Sequence, residues 1–277
     1  MMTKLIHSFE GRSCASVWLE AVQFVRDAGM AYNVVLGIEF PALVQPVDAA
    51  IQQRVDAFLV EHEAEPLATV ASTIFPAGEY VHGDAEEVFN DFPKIFPKIR
   101  GRWDGYAVRM LTRSLKMPDG SPISPLERLV RKMRAQASRR GGMRSVYDIS
   151  MDDPEDPLTE IAIYDASKDA AAIHPPCLMH LSFKLVENQV YLTVMYRTHY
   201  YIEKALGNLL GLAQLQLFVA EQMGKGFEPG PLVCHSTYAL FDTGPKPRWN
   251  KAAAKELIAQ CVHISSGQLS SAAAATA

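Results

Sequence analysis

Residues 178–223 read LMHLSFKLVENQVYLTVMYRTHYYIEKALGNLLGLAQLQLFVAEQM. Apolar and polar side chains alternate through HLSFKLV and again through VYLTVMY. This predicts two strands, Leu178–Val186 and Gln189–Arg197, joined by a turn at Glu187-Asn188. Ala205–Met223 follows as a helix that is apolar on most of its surface and is therefore central. A hairpin followed by a buried helix, with a further strand at Pro231–Phe241, sets the fold class as α+β. The expected architecture is one mixed, mainly antiparallel twisted sheet packed with helices.

Upstream, apolar positions at helical spacing predict helices at 15–29, with Gly29 as the stop, and at 46–60, with a strand at 32–40 between them. Residues 102–114 read as helical. Ser124 is a good N-cap for a helix over 125–139, with Pro125 at its first position. Shorter strands are expected at 145–149 and 161–164. A single domain over 1–264 with a low-complexity, disordered tail at 265–277 completes the expected organisation.

The chain has 277 residues, 48% of them hydrophobic and 21% charged, enough to build a full core. Its net charge of −4 argues against a polycation made for nucleic acid. The charge is uneven. Residues 100–144 hold twelve Lys/Arg against three acids, and residues 148–169 hold eight Asp/Glu against one Lys. The basic block fits a solvated helix face or a phosphate-binding surface. It lacks the aromatic interleaving of a nucleic-acid binder, so nucleic acid is not an expected partner. No apolar run is long enough for a membrane span, and the N-terminus shows no signal-peptide pattern. Four dispersed cysteines without a CxxC pair argue against a disulfide framework or a zinc site; a reducing cytoplasm is the expected setting and no metal is expected.

Pro175-Pro176-Cys177 is the sharpest chemical feature. Two prolines give a rigid, extended approach to a thiol at the start of a strand, a suitable place for a nucleophile. Arg197 ends the paired strand, and a hairpin returns it to the sheet end that carries Cys177. There a guanidinium would lower the thiol pKa and bind phosphate. Asn208, inside the apolar helix, offers a donor and an acceptor together, matching an amide edge such as uracil N3 and O4. His235 and Tyr238 in the last strand could bond a sugar hydroxyl. Taken alone, each of these residues also fits a plain structural role.

Their order is distinctive: PPC, a hairpin ending in Tyr-Arg-Thr, eleven residues from Arg197 to Asn208, and a strand with His and Tyr. From His174 to Phe241 the chain resembles the thymidylate synthase and pyrimidine hydroxymethylase family. The resemblance implies that Cys177 attacks pyrimidine C6, that Arg197 and Thr198 bind phosphate, and that Asn208 reads the base. It also implies a homodimer in which Arg139 and Arg140, after the 125–139 helix, reach the partner's phosphate site; another register leaves no such pair. Trp103-Asp104-Gly105-Tyr106 with Arg109 resembles the segment that carries the family's catalytic tyrosine, which puts Asp104 or Tyr106 in that role. Two registers are open for the last strand, one aligning His235 and the other Tyr238. The implied one-carbon donor is a tetrahydrofolate derivative, although Tyr200 and Lys204 stand where the family has a folate-contacting aspartate and a glycine. The implied function is C5 methyl or hydroxymethyl transfer to a uracil-type nucleotide. A nucleotide-binding protein without folate-dependent activity is the alternative.

Overall fold

The computed structural model describes residues 5–80, 85, 87–92, 94, 105–112, 115–116, 119–139, 142, 147–150, 177–243 and 248–267. Asp104, Arg140, Pro175-Pro176, the strand expected at 161–164 and the tail from 268 lie outside these residues. In chain order the elements are β1 (His7–Gly11), α1 (Cys14–Ala28), β2 (Met30–Ile38), α2 (Pro46–Glu61) and α3 (Leu67–Ser72). Then come α4 (Tyr106–Thr112), the short β3 (Leu115–Lys116) and β4 (Pro122–Ile123), α5 (Pro125–Ala137) and β5 (Tyr147–Ser150). The chain continues with β6 (Leu178–Val186), β7 (Gln189–Tyr196), β8 (His199–Tyr200), α6 (Ala205–Met223), β9 (Glu228–Leu240) and α7 (Lys251–Ser265).

Seven strands form one sheet in the order β1-β2-β9-β7-β6-β5, with β8 beside β9. The α+β class with an open, mixed sheet therefore holds. Its pairings are of both kinds: β2–β9, β6–β7 and β5–β6 are antiparallel, and β1–β2, β7–β9 and β8–β9 are parallel. The parallel pairs come from helical crossovers: α1 joins β1 to β2, and α6 carries the chain from β7 and β8 back to the start of β9. β1 and α7 have no counterpart among the sequence expectations. The helix expected to 139 stops at Ala137, where Ser138 caps it.

Local chemistry sets the helix ends. Ser13 and Ser16 form a capping box at α1, and Gly29 closes it with φ +75°, a conformation that glycine reaches without strain. Ser13 Oγ also donates to Asp48 Oδ1 at 2.6 Å, tying α1 to the first turn of α2.

One face of the sheet is the core face. Val34 and Leu36 of β2, Leu192 and Val194 of β7, and Leu232 and Cys234 of β9 are all buried against α1 and α6. The alternate residues Val35, Tyr191, Met195, Val233 and His235 are only half-buried, as the period of two along a strand requires. Helix α6 has two close neighbours on its glycine side. A Cβ at Gly207 would lie 2.7 Å from the Val70 side chain, and one at Gly211 would lie 2.5 Å from the Ala71 carbonyl oxygen. These glycines let α3 press against the N-terminal half of α6, which fixes one wall of the site. Among the described residues, no helix is long and apolar enough to cross a membrane.

Candidate functional site

A cavity of about 380 Å³ opens where the start of β6, the end of β7 and the start of α6 meet. Its floor holds Cys177, Tyr106, Thr198, His199 and Asn208. Thr69, Val70 and Thr73 from α3 and the residue after it form one side, and Glu65, Tyr200 and Lys204 also border it. Four sequence candidates, Cys177, Tyr106, Thr198 and Asn208, are thus brought together. His199 and Glu65 join them without having been singled out in the sequence.

The hairpin register does what the sequence required of it. The Arg197 N–H donates to the Cys177 carbonyl at 2.7 Å, so the two residues sit side by side at one sheet end. Tyr106 pins the same spot: its hydroxyl oxygen accepts from the N–H groups of Cys177 at 3.1 Å and Leu178 at 3.2 Å. The sulfur position is therefore set by a side chain some seventy residues upstream. Burial raises the Tyr106 pKa, against the pull of those two bonds.

The Cys177 thiol does not match the expected depression. Burial pushes its pKa above the ordinary value and outweighs the lowering by the Arg197 guanidinium and the Thr198 N–H. The reason is placement: Cys177 is half-buried in the cavity floor, whereas Arg197 is exposed and acts through water. At neutral pH the resting sulfur is a thiol.

A buried polar chain runs beneath the floor. Asn208 Nδ2–H donates to His199 Nε2 at 3.1 Å, and His199 Nδ1 bonds Ser236 Oγ at 2.9 Å. Tyr201 closes the chain at 3.4 Å from Ser236 Oγ. Burial lowers the His199 pKa to about 3, so its ring is neutral. The segment before α6 is tied down by Asp242, whose two carboxylate oxygens accept from the Ile202 N–H at 2.8 Å and the Glu203 N–H at 3.2 Å. Burial raises Asp242 to about 6, with the Glu203 carboxylate nearby adding to the rise.

His235 and Tyr238 do not border the cavity. His235 bonds Asn33 Oδ1 at 3.1 Å on the half-buried face of the sheet, and Tyr238 lies across from Tyr32 with ring centroids 5.3 Å apart. The period-two pleat turns His235 away from the side that Ser236 faces. Thr237, one of the two residues between these candidates, donates its hydroxyl to the Arg197 carbonyl at 2.8 Å. Arg139 is exposed just beyond α5 and does not line the cavity of its own chain.

Among the described residues no group of three His, Cys, Asp or Glu side chains is placed to hold a metal ion. The residues at the mouth do not fit a tetrahydrofolate derivative in the manner the resemblance implies. Tyr200 presents a phenol in place of the carboxylate, and Lys204 is held 3.0 Å from the buried Glu203 where a glycine would leave space. No family model matches the chain, and no curated protein matches it.

Proposed function

We propose that the protein binds a uracil-type pyrimidine nucleotide in this cavity and transfers a one-carbon group, methyl or hydroxymethyl, to C5 of the base through a Cys177 adduct at C6. The observation that carries the reading is the meeting of Cys177, Tyr106, Thr198 and Asn208 in one cavity; Arg197 does not line it but is bonded through its backbone to Cys177 and is exposed to solvent. About 380 Å³ lies at the lower end of small-molecule sites and suits one nucleotide. Phosphate bound at Arg197 and Thr198 would place the base over the sulfur, with its amide edge toward Asn208. Attack of the thiolate on C6 moves the ring electron pair to C5, which then either displaces the leaving group of a methyl donor, that group taking the bonding pair, or adds to a formaldehyde-level carbonyl, whose oxygen takes the π pair and a proton. Loss of the C5 proton and expulsion of the thiolate restore the ring. Because the resting sulfur carries its proton, attack first requires that proton to leave; the Tyr106 hydroxyl, bonded to the Cys177 and Leu178 N–H groups, is the cavity group we assign to relay it. The donor is named by class alone, since the mouth does not fit a folate.

On the same reading the molecule is a thymidylate synthase-like homodimer. The half-buried sheet face carrying Val35, Met195 and Val233 would supply an apolar surface for the pairing, and Arg139, exposed just beyond α5, would be open to the partner's phosphate. The second reading, a nucleotide-binding protein without one-carbon chemistry, draws on the raised Cys177 pKa and on Tyr200 and Lys204 at the mouth.

Calorimetry with dUMP, UMP, dCMP and CMP tests the site, with candidate one-carbon donors then added to the best complex. A uracil nucleotide is expected to bind tightest. Cys177→Ser should leave its dissociation constant within a few-fold and lower any turnover by more than about a thousandfold. Full turnover in that variant would remove the adduct, and absence of nucleotide binding would remove the reading.

A further inference from the structure

The His199 ring cannot reorient. It is 1% exposed, stacked on Tyr196 with centroids 4.2 Å apart and 5° between planes, and met at its edge by Tyr201 at 5.5 Å. Both ring nitrogens are engaged, Nδ1 by Ser236 and Nε2 by Asn208. A neutral imidazole holds one proton, so one nitrogen donates and the other accepts. With the proton on Nδ1 toward Ser236, Nε2 is a bare acceptor and takes an N–H of Asn208. Turning the Asn208 amide over would set its oxygen against the Nε2 lone pair unless the ring proton moved to Nε2 and the Ser236 hydroxyl turned to donate to Nδ1. The amide is therefore held through a chain whose buried members must all reverse together.

Asn208 also borders the cavity. Its nitrogen has two N–H groups, of which His199 takes one. The other N–H and the amide oxygen remain for a ligand. The order in which they face the ligand depends on which way round the amide is held.

We infer that His199 is a positioning residue that locks the Asn208 amide in one orientation and so makes base selection at the cavity single-valued. This inference rests on the nucleotide reading above and deepens it by naming the group that sets base choice. Uracil offers a ring N3–H beside a carbonyl O4. Cytosine offers a bare N3 beside an N4 amino group, the same edge with its polarity reversed. A fixed amide matches one of them, and an amide free to turn matches both. On the nucleotide reading above, the base served is uracil.

The test is the ratio of dissociation constants for dUMP and dCMP. A pocket that is merely loosened weakens both nucleotides alike and leaves the ratio unchanged. The intact protein should favour dUMP by a factor on the order of 10², because the wrong base leaves buried polar groups unpaired. His199→Phe keeps the aromatic stack but offers no acceptor; the ratio should fall at least about tenfold, with dCMP gaining relative to dUMP. His199→Gln restores an acceptor oxygen and should recover part of the ratio. Ser236→Ala, which frees Nδ1, tests the same lock from its far end should the Phe variant fold poorly, and should lower the ratio by a smaller factor. Thermal midpoints report folding for each variant. An unchanged ratio in folded His199→Phe or Ser236→Ala, or equal binding of the two nucleotides by the intact protein, overturns the lock while leaving the site. Binding of neither nucleotide by the intact protein overturns the nucleotide reading, and the lock with it.

Discussion

His235 and Ser236 are neighbours in one strand and have opposite fates. The histidine, the more eye-catching residue, bonds Asn33 on the half-buried face of the sheet. The serine turns inward, fully buried, and joins the chain that ends at Asn208 in the cavity. The same contrast holds along β7, where Tyr196 is buried under the His199 ring while Met195 faces outward. Chemical character in a strand is therefore secondary to phase: the pleat decides which residues can serve the site, and the side chain decides only what they do there.

The contrast can be broken in order of expected effect. The largest change comes from the inner side, at the helix pair that walls the cavity. Gly211→Ala would drive a methyl group into the Ala71 carbonyl, forcing α3 and α6 apart at a cost of about 1–3 kcal/mol. Chemical denaturation should read that loss, together with weaker nucleotide binding as Thr69 and Thr73 shift. A neutral outcome would mean the two helices can slide without consequence.

Acidity gives the next effect. Asp242 has a folded pKa of about 6 against an ordinary value near 3.8, so the folded state holds its proton more tightly than the unfolded chain does. For this group the sign is fixed: no penalty below pH about 4, a growing one between about 4 and 6, and the full cost, on the order of 1–3 kcal/mol, above that. Asp242→Asn should flatten this part of the stability profile, as read from urea midpoints at several pH values. A slope that survives the substitution would assign it to other groups.

The smallest change sharpens the comparison directly. Ser236→Ala should cost about 1–2 kcal/mol, because it strips a buried partner from His199 and Tyr201. His235→Ala should stay within about 0.5 kcal/mol in the single chain. Equal losses at the two positions would contradict the assignment of the faces.

Much of this arrangement was legible in the chain. Alternation in 178–196, the apolar run of α6, and Ser124-Pro125 before α5 carry their own signals, and the hairpin follows from the two-residue turn. From that hairpin the meeting of Cys177 with Arg197 could be read. Other features were hidden for physical reasons. His199 lies in a two-residue strand, and its importance arises only when α6 brings Asn208 back over it. Glu65 sits in the acidic run EHEAEP and reads as ordinary surface; it reaches the cavity mouth because α3 follows immediately and packs on α6. The Cys177 pKa depended on a balance between burial and a solvent-exposed charge, and the burial of a single side chain has no signature in local sequence. In β9 the candidate histidine was visible, but its phase depended on pairing with β2 and β7.

Of the four cysteines, Cys14, Cys234 and Cys261 are buried, and only Cys177 is half-open to the solvent. Cys14 and Cys261 are also pushed up to about 12, with Cys234 raised further. A small alkylating reagent applied to the native chain would thus modify one sulfur, slowly at neutral pH and faster as the solution becomes alkaline. The same reagent would reach all four after unfolding. One stoichiometric label therefore serves two purposes: the first equivalent reports whether the cavity is occupied, and the remaining three report whether the chain is folded.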